Sequence, residues 1–244
     1  IDRFNFHQFQ PLFYQVATAR LEPSSVSFPL RKVFQRKKNI HVRVTHVDKL
    51  DTAKQIVHTS DGDFSYDYLA IATGCSTNYF GNKNIEKYAY SMKSTIEAIT
   101  LRNRILLNFE DALSATPEEL EGIMNIVVVG GGPTGVELAG ALAEMKTKIL
   151  PKDYPDMNFS KLGIYLLEGQ GKTLANMSEL AQKSSQTYLE QMGVKVWTNT
   201  IVDDYDGQTI TTKDGRTIQS HTLIWAAGVT GNVPAGMPGD AIVR

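Results

Sequence analysis

Apolar and polar positions change period several times along the chain, and each change marks an element. Residues 126–129, Ile-Val-Val-Val, form an unbroken apolar run that ends in Gly130-Gly-Gly-Pro-Thr-Gly135 and passes into the Ala/Leu-rich stretch Val136-Glu-Leu-Ala-Gly140. Such a run, bounded by glycines, predicts a buried parallel strand followed by a helix. Leu162-Gly-Ile-Tyr-Leu-Leu167 predicts the next strand. Ser94 to Leu113 carries Ile96, Ile99, Leu101, Ile105 and Leu106 with charges between them, the spacing of an amphipathic helix. Thr116-Pro117-Glu118-Glu119 predicts a capped start or a linker ahead of the central strand. Ser178 to Met192 predicts a further helix, with Leu180, Ala181 and Leu189 on one face and Gly193 as its stop. Pro151 and Pro155 predict that Lys146 to Lys161 leaves the helix as a surface excursion, either a partner-contact loop or plain surface.

Two stretches repeat one plan. Residues 40–74 run Ile-His-Val-Arg-Val-Thr-His-Val, then Gln55 to Gly62, then Tyr68-Leu-Ala-Ile-Ala-Thr-Gly74. Residues 193–228 repeat that order with Gly193-Val-Lys-Val-Trp197, Gln208 to Gly215 and Leu223-Ile-Trp-Ala-Ala-Gly228. Alternation with Asp-Gly turns predicts a small antiparallel meander in each. The closing apolar run predicts a buried strand returning to a sheet. A duplicated plan implies two similar domains, and strand, helix, strand, helix, meander, strand is the order of a doubly wound α/β unit with a β-insert.

Composition narrows the chemistry. The 244 residues are 42% hydrophobic and 21% charged, with a net charge of −1. That balance argues against nucleic acid as the main partner, because phosphate neutralisation needs a basic face. The basic run Arg31, Lys32, Arg36, Lys37, Lys38 and Arg43 reads as a solvated helix end rather than a lipid contact, since no apolar face of useful length accompanies it. No apolar run approaches the ~18 residues of a membrane span. Cys75 is the single cysteine, so neither an internal disulfide nor a paired redox thiol is available; it reads as a small buried filler. The five histidines lack paired ligand spacing and no metal is expected. His7, alone among Asn, Phe and Gln, reads as a structural residue. Phe4, Phe6, Phe9, Phe13 and Tyr14 read as a mixture of core packing and ring-pocket lining. Ile1-Asp2 resembles the end of one strand and Asp240 to Arg244 the start of another, so the chain reads as an internal piece of a longer protein.

The glycine turn has the residues of a dinucleotide-binding fingerprint. Gly130 permits the tight turn, Gly132 lets backbone approach a pyrophosphate and Gly135 lets helix and strand pack closely, with Pro133 and Thr134 in the same turn. The helix N-terminus adds free N–H groups and partial positive charge. Glu168, with Gly169 after it, closes the second apolar run, where a carboxylate accepts a ribose diol. No Arg or Lys follows until Lys172, which favours the free 2′-hydroxyl of NADH over the 2′-phosphate of NADPH. Glu168 stands 33 positions after Gly135, against about 20 in the compact motif, and the Lys146 to Lys161 segment accounts for the excess.

Four segments resemble a known family: Asn5-Phe-His-Gln-Phe-Gln-Pro-Leu-Phe-Tyr-Gln-Val-Ala-Thr18, Ala72-Thr73-Gly74, Gly130 to Glu137, and Trp225-Ala-Ala-Gly-Val229. They are similar to the two-dinucleotide-fold flavoproteins, and among these to type II NADH:quinone oxidoreductases. The resemblance implies a Rossmann-like NAD domain with a β-meander insert over residues 93–231, flanked by an incomplete FAD domain at 1–92 and 232–244. It implies that Asp2 grips the FAD ribose, that Pro11, Leu12, Tyr14, Gln15 and Thr18 shape the flavin pocket, and that Val47 meets adenine. Ala72, Thr73 and Gly74 would turn beside the flavin, and Ala227, Gly228 and Val229 would let nicotinamide slide against it. Glu137 would face nicotinamide or its ribose as the catalytic-site carboxylate; by position alone, a first-turn glutamate supporting the helix dipole is the alternative. The implied activity is hydride transfer from NADH to FAD and electron delivery to quinone. Hydride transfer demands positioning of two rings with water excluded more than acid–base chemistry. The first FAD glycine turn, the quinone-site segment and the C-terminal membrane anchor of that family have no counterpart in these residues. The resemblance implies that the full-length protein is a peripheral enzyme on the inner face of the cytoplasmic membrane, and a homodimer is compatible with it. A ferredoxin- or rubredoxin-type reductase and a non-catalytic NAD-binding module are the rival readings.

Overall fold

A computed structural model describes residues 1–241, and they fall into two compact units. The larger comprises Gln10–Val26 and Thr77–Gly228; the smaller comprises Ile1–Phe9, Ser27–Ser76 and the chain from Val229 onward. The expected return to an FAD domain over 232–244 falls in part on 242–244, which lie outside the described residues.

The larger unit is built on a four-stranded parallel sheet in the order Thr222–Trp225, Asn125–Val129, Gly163–Leu167, Lys195–Trp197. Alternate residues of each strand serve opposite faces. Ile126, Val128, Ile164, Leu166 and Ile224 meet Leu101, Ile105 and Phe109 of the helix Thr95–Ala112 and Leu138 and Leu142 of the helix Pro133–Glu144. Val127, Val129, Leu167, Leu223 and Trp225 meet Tyr205, Ile210 and Ile218 of the antiparallel meander Val202–Tyr205, Thr209–Thr212, Thr217–Gln219. Both faces are covered, which is why the central run reads as continuously apolar rather than alternating. Capping boxes start two helices: Ser94 with Glu97 ahead of Thr95–Ala112, and Thr116 with Glu119 ahead of Pro117–Ile123.

Three expectations are corrected in this unit. The helix Pro133–Glu144 does not give way to a surface excursion: it widens into a π-helical turn, Met145–Ile149, and resumes over Leu150–Asp153. Pro151 stands in the first turn of that resumed helix, where a missing N–H costs nothing. Leu150, Phe159 and Leu162 are buried, and the Phe159 ring packs edge-on to Phe109 at 5.8 Å, so the segment contributes to the core. Leu180 is exposed, leaving Leu189 as the buried anchor of the helix Glu179–Gln191. Gly193–Trp197 does not belong to the meander; Lys195–Trp197 is instead the edge strand of the parallel sheet.

The smaller unit contains the counterpart meander, Val47–Asp51, Ile56–Thr59 and Gly62–Ser65, with antiparallel pairing throughout. Its closing run differs from the expectation. Tyr68 to Gly74 forms no strand, and Tyr68 is 97% exposed with Leu69 and Ile71 also at the surface. The equivalent run in the larger unit has Asn125–Val129 beside it to accept and donate backbone hydrogen bonds; among the described residues no strand lies beside Tyr68 to Gly74. Cys75 is likewise exposed rather than a buried filler.

Candidate functional site

The C-terminal ends of three parallel strands converge on the glycine turn. Gly130 has φ +111°, and a Cβ placed there would stand 2.6 Å from the Ala226 carbonyl oxygen. It must therefore be glycine for both conformation and space. A Cβ at Gly135 would stand 1.9 Å from the Gly130 carbonyl oxygen, so the helix packs on the turn only because that side chain is missing. Gly132 is different: a Cβ there meets nothing within 4 Å. Its φ of −73° suits any residue, and it is the N-cap of the helix Pro133–Glu144 with no side-chain hydrogen bond to the helix amides. Open space thus lies over an uncapped helix N-terminus, the arrangement that receives a phosphate.

Glu168 closes the adjoining strand and turns its carboxylate onto this loop. Gly131 N–H donates to its Oε2 at 2.5 Å and Gln170 N–H donates to its Oε1 at 2.6 Å. Its backbone is fixed by Trp197 and Thr200, since Glu168 N–H donates to the Trp197 carbonyl at 2.9 Å and Thr200 N–H donates to the Glu168 carbonyl at 2.8 Å. An ionised carboxylate has about four acceptor positions, so two backbone donors leave room for a diol. Gly169 follows, with Ile201 Cγ1 at 3.4 Å from where its Cβ would lie. The cation tied to this end of the sheet is already matched: Arg216 pairs with Asp214, donates to Thr200 Oγ1 at 2.7 Å and lies 4.2 Å from the Trp197 ring centre. Leu174 N–H donates to the Gly131 carbonyl at 2.7 Å, closing the segment after Glu168 over the turn.

Glu137 is exposed and lies one turn into the same helix rather than in its first turn, which holds no acidic residue, and partial desolvation holds its carboxyl above the ordinary range. Thr134 and Leu138 line a cleft with Met92, Lys93, Trp225 and Ala226 at the end of the outer strand. Ala227 and Gly228 continue from that strand, half-buried. Gly130, Gly132, Pro133, Thr134, Gly135, Glu137, Glu168, Gly169, Ala227 and Gly228 thus belong to one unit, and most of them to one edge of one sheet.

The residues that the resemblance directs toward flavin are divided between the units. Pro11 and Leu12 form a 3₁₀ turn leading into the helix Phe13–Ala17 of the larger unit, where Gln15 Nε2 donates to Tyr14 Oη at 3.0 Å and the buried Thr18 hydroxyl donates to the Tyr14 carbonyl at 2.9 Å. Asp2, Val47, Ala72, Thr73, Gly74 and Val229 lie in the smaller unit. Asp2 Oδ1 accepts Phe4 N–H at 2.8 Å, Val47 opens the first meander strand opposite Thr59, and Thr73 and Gly74 are held by Asn232, whose N–H donates to the Gly74 carbonyl at 3.0 Å. Val229 is exposed.

Sequence reasoning passed over Asn78-Tyr79-Phe80-Gly81, which lies against Gly228. Asn78 N–H donates to the Gly228 carbonyl at 3.1 Å and Trp225 Nε1–H donates to the Asn78 carbonyl at 2.8 Å. The Asn and Gly of that tetrapeptide are turn residues, a signal for a tight loop though not for its partner.

Residues 1–238 match the family described as "Pyridine nucleotide-disulphide oxidoreductase". Among curated proteins the chain is 35% identical over 241 residues to the type II NADH:quinone oxidoreductase Ndh of Mycobacterium tuberculosis, covering 94% of this chain and 52% of that protein. It is 37% identical over 238 residues to the type II NADH:quinone oxidoreductase NdhA of the same organism, covering 94% and 51%. Among solved structures, NDH2 from Plasmodium falciparum in complex with NADH superposes with a TM-score of 0.85 at 26% identity, over 95% of this chain and 50% of that one. The chain spans about half the length of these curated relatives.

Proposed function

The chain belongs to the pyridine nucleotide-disulphide oxidoreductase family, and from that premise we propose that it is the NADH-binding part of a type II NADH:quinone oxidoreductase. The observation that carries this reading is the pairing of open space over Gly132 with the Glu168 carboxylate at the end of the next strand. The amides at the start of the helix Pro133–Glu144 would take the pyrophosphate, whose negative charge the helix dipole favours. Glu168 would take the adenosine ribose diol, and its charge repels a 2′-phosphate, so NADH is the substrate. Ala227 and Gly228, with Val229, would seat the nicotinamide ring. Glu137, one turn into the helix, would lie toward the nicotinamide end as the catalytic-site carboxylate.

When bound in the whole protein, FAD supplies a two-electron acceptor able to pass electrons on to quinone. The residues directed toward it are Asp2, Pro11, Leu12, Tyr14, Gln15, Thr18, Val47 and Ala72–Gly74. The contribution of the present chain is positional: it anchors the coenzyme by its diphosphate and ribose, so that the nicotinamide end is presented in one orientation. Among the described residues no helix is long and apolar enough to cross a membrane; association with the inner face of the cytoplasmic membrane would rest on the rest of the protein.

Two experiments test the proposal. Calorimetric titration of this chain with NADH and NADPH should give binding of NADH and much weaker binding of NADPH; equal affinities would remove Glu168 from its role. Rapid mixing of the whole protein with NADH should bleach flavin absorbance, and a quinone analogue should restore it. Restoration by ferredoxin and not by quinone would point to the reductase reading instead.

A further inference from the structure

We propose that Phe80 is a gate over the nicotinamide position, displaced ring-for-ring by the coenzyme. This rests on the assignment of Gly228 to the nicotinamide end. The Phe80 ring lies on Gly228 so closely that a Cβ there would stand 2.7 Å from Cζ and 3.2 Å from Cε2. An aromatic ring thus occupies that face of Gly228, and a second flat ring can lie on the same face only if the first leaves.

The loop is built so that the ring can leave while its backbone stays. Asn78 is fixed through its N–H to Gly228 and through its carbonyl, which accepts Trp225 Nε1–H. Its side-chain oxygen accepts Phe80 N–H at 2.8 Å. On the other side Asn82 N–H donates to the Tyr79 carbonyl at 3.0 Å, and Asn82 caps the helix Lys83–Tyr88. Phe80 is held between these anchors with φ +51°, a left-handed conformation that a phenylalanine adopts at a cost. The residue is nevertheless 67% exposed. Among the described residues its one aromatic partner is Trp225, edge-on at 6.4 Å and 64°. A large apolar ring kept in water by a strained backbone, resting on a glycine and an indole edge, has little holding it closed. One side-chain rotation, on the ps–ns scale of exposed rotamers, opens the site.

A closed gate lowers the apparent affinity of whatever must displace it by the fraction of molecules already open. An edge-on aromatic contact biases that population by roughly 2- to 10-fold. The penalty falls on ligands carrying the nicotinamide ring and on no others.

The test is calorimetric titration of the wild-type chain and of Phe80→Ala and Phe80→Gly with NADH and with ADP-ribose, which keeps the diphosphate and adenosine but lacks nicotinamide. Phe80→Gly also relieves the left-handed backbone, so it remains folded if Phe80→Ala does not; circular dichroism melts verify both. The expected result is an NADH dissociation constant lowered about threefold to tenfold in the variants, with ADP-ribose unchanged. Unchanged NADH affinity, weakened NADH affinity as for a stacking platform, or equal shifts for both ligands would each overturn the gate while leaving dinucleotide binding intact. Failure of the wild-type chain to bind either ligand would overturn the dinucleotide assignment itself and the gate with it.

Discussion

Replacing Gly132 by alanine isolates the contact on which dinucleotide binding depends. A Cβ at this position meets nothing within 4 Å, and φ −73° is ordinary for an L residue, so the fold accepts the methyl group. Alanine is a poorer N-cap than glycine by about 0.5–1 kcal/mol. Restricting the unfolded chain returns about 0.4–1 kcal/mol. The two nearly cancel, and at roughly 2–4 °C per kcal/mol for a chain of this size the melting temperature should stay within about 2 °C of wild type. The same methyl stands over the helix amides and holds a phosphate away from them. Loss of one or more charge-assisted hydrogen bonds, about 1.5–3 kcal/mol, weakens NADH binding roughly 10- to 150-fold. Gly135→Ala supplies the contrast: its Cβ would overlap the Gly130 carbonyl oxygen at 1.9 Å, so the helix must retreat. Overpacking of that kind costs about 1–3 kcal/mol, and the melting temperature falls. Gly130→Ala carries a similar clash and a disallowed φ as well. Thermal melts and NADH titrations of the three variants decide the matter. A Gly132→Ala protein that melts like wild type and binds NADH equally well would refute the pyrophosphate assignment; one that melts like Gly135→Ala would make the whole turn structural.

Three further outcomes are expected. Glu168→Arg should lose NADH affinity and gain NADPH affinity, because the acceptor of the ribose diol becomes a donor to a 2′-phosphate; paired titrations check this, and an unchanged preference counts against the ribose role. Desolvation raises the Glu137 carboxyl above its ordinary 4.5, so the native chain keeps this proton to higher pH than the unfolded chain does. Its ionisation therefore costs stability increasingly as pH rises from about 4.5 through the raised value, and Glu137→Gln should raise the urea midpoint at about pH 7 but not at about pH 4; an equal change at both would exclude the desolvation account. Cys75, exposed and free, should react with one equivalent of a chromogenic disulfide reagent in the native chain without denaturant, and protection until unfolding would contradict its placement.

The glycine turn and Glu168 were legible because each depends on short-range features: a β-rich apolar run, glycines at fixed intervals, and a carboxylate where the next run stops. The structure adds which glycine does what, since the distances from Gly130 to Ala226 and from Gly135 to Gly130 follow from how the outer strand and the helix cross. The Lys146 to Lys161 segment was misread because proline is a helix breaker in mid-helix and harmless in a first turn, and sequence alone does not say which turn it occupies. No composition marks the π-helical turn that sets the new phase. Asn78 and Phe80 were missed for a different reason: their contacts with Trp225 and Gly228 bridge almost 150 positions, and local pattern carries no information about them.

The two meanders show where local pattern stops deciding structure. Both contain alternating apolar positions and an Asp-Gly turn, Asp61-Gly62 in one and Asp214-Gly215 in the other, and both fold as three antiparallel strands. Positive φ at Gly62 and Gly215 satisfies the same turn requirement in each. The apolar runs that follow are equally suited to burial, yet Thr222–Trp225 is buried throughout while Tyr68 to Gly74 lies open. Hairpins settle their own hydrogen bonds, so their sequences suffice to specify them. A parallel strand cannot, because its donors and acceptors are met only by a neighbour brought from far away in the chain. Asn125–Val129 meets Thr222–Trp225 in register, residue for residue, and carries Ala227 and Gly228 to the edge where the glycine turn lies. The same pairing that buries the outer strand therefore assembles the candidate site. The glycine turn and the strand that ends in Glu168 were readable locally, but their assembly with the outer strand depends on contacts between segments roughly 100 residues apart.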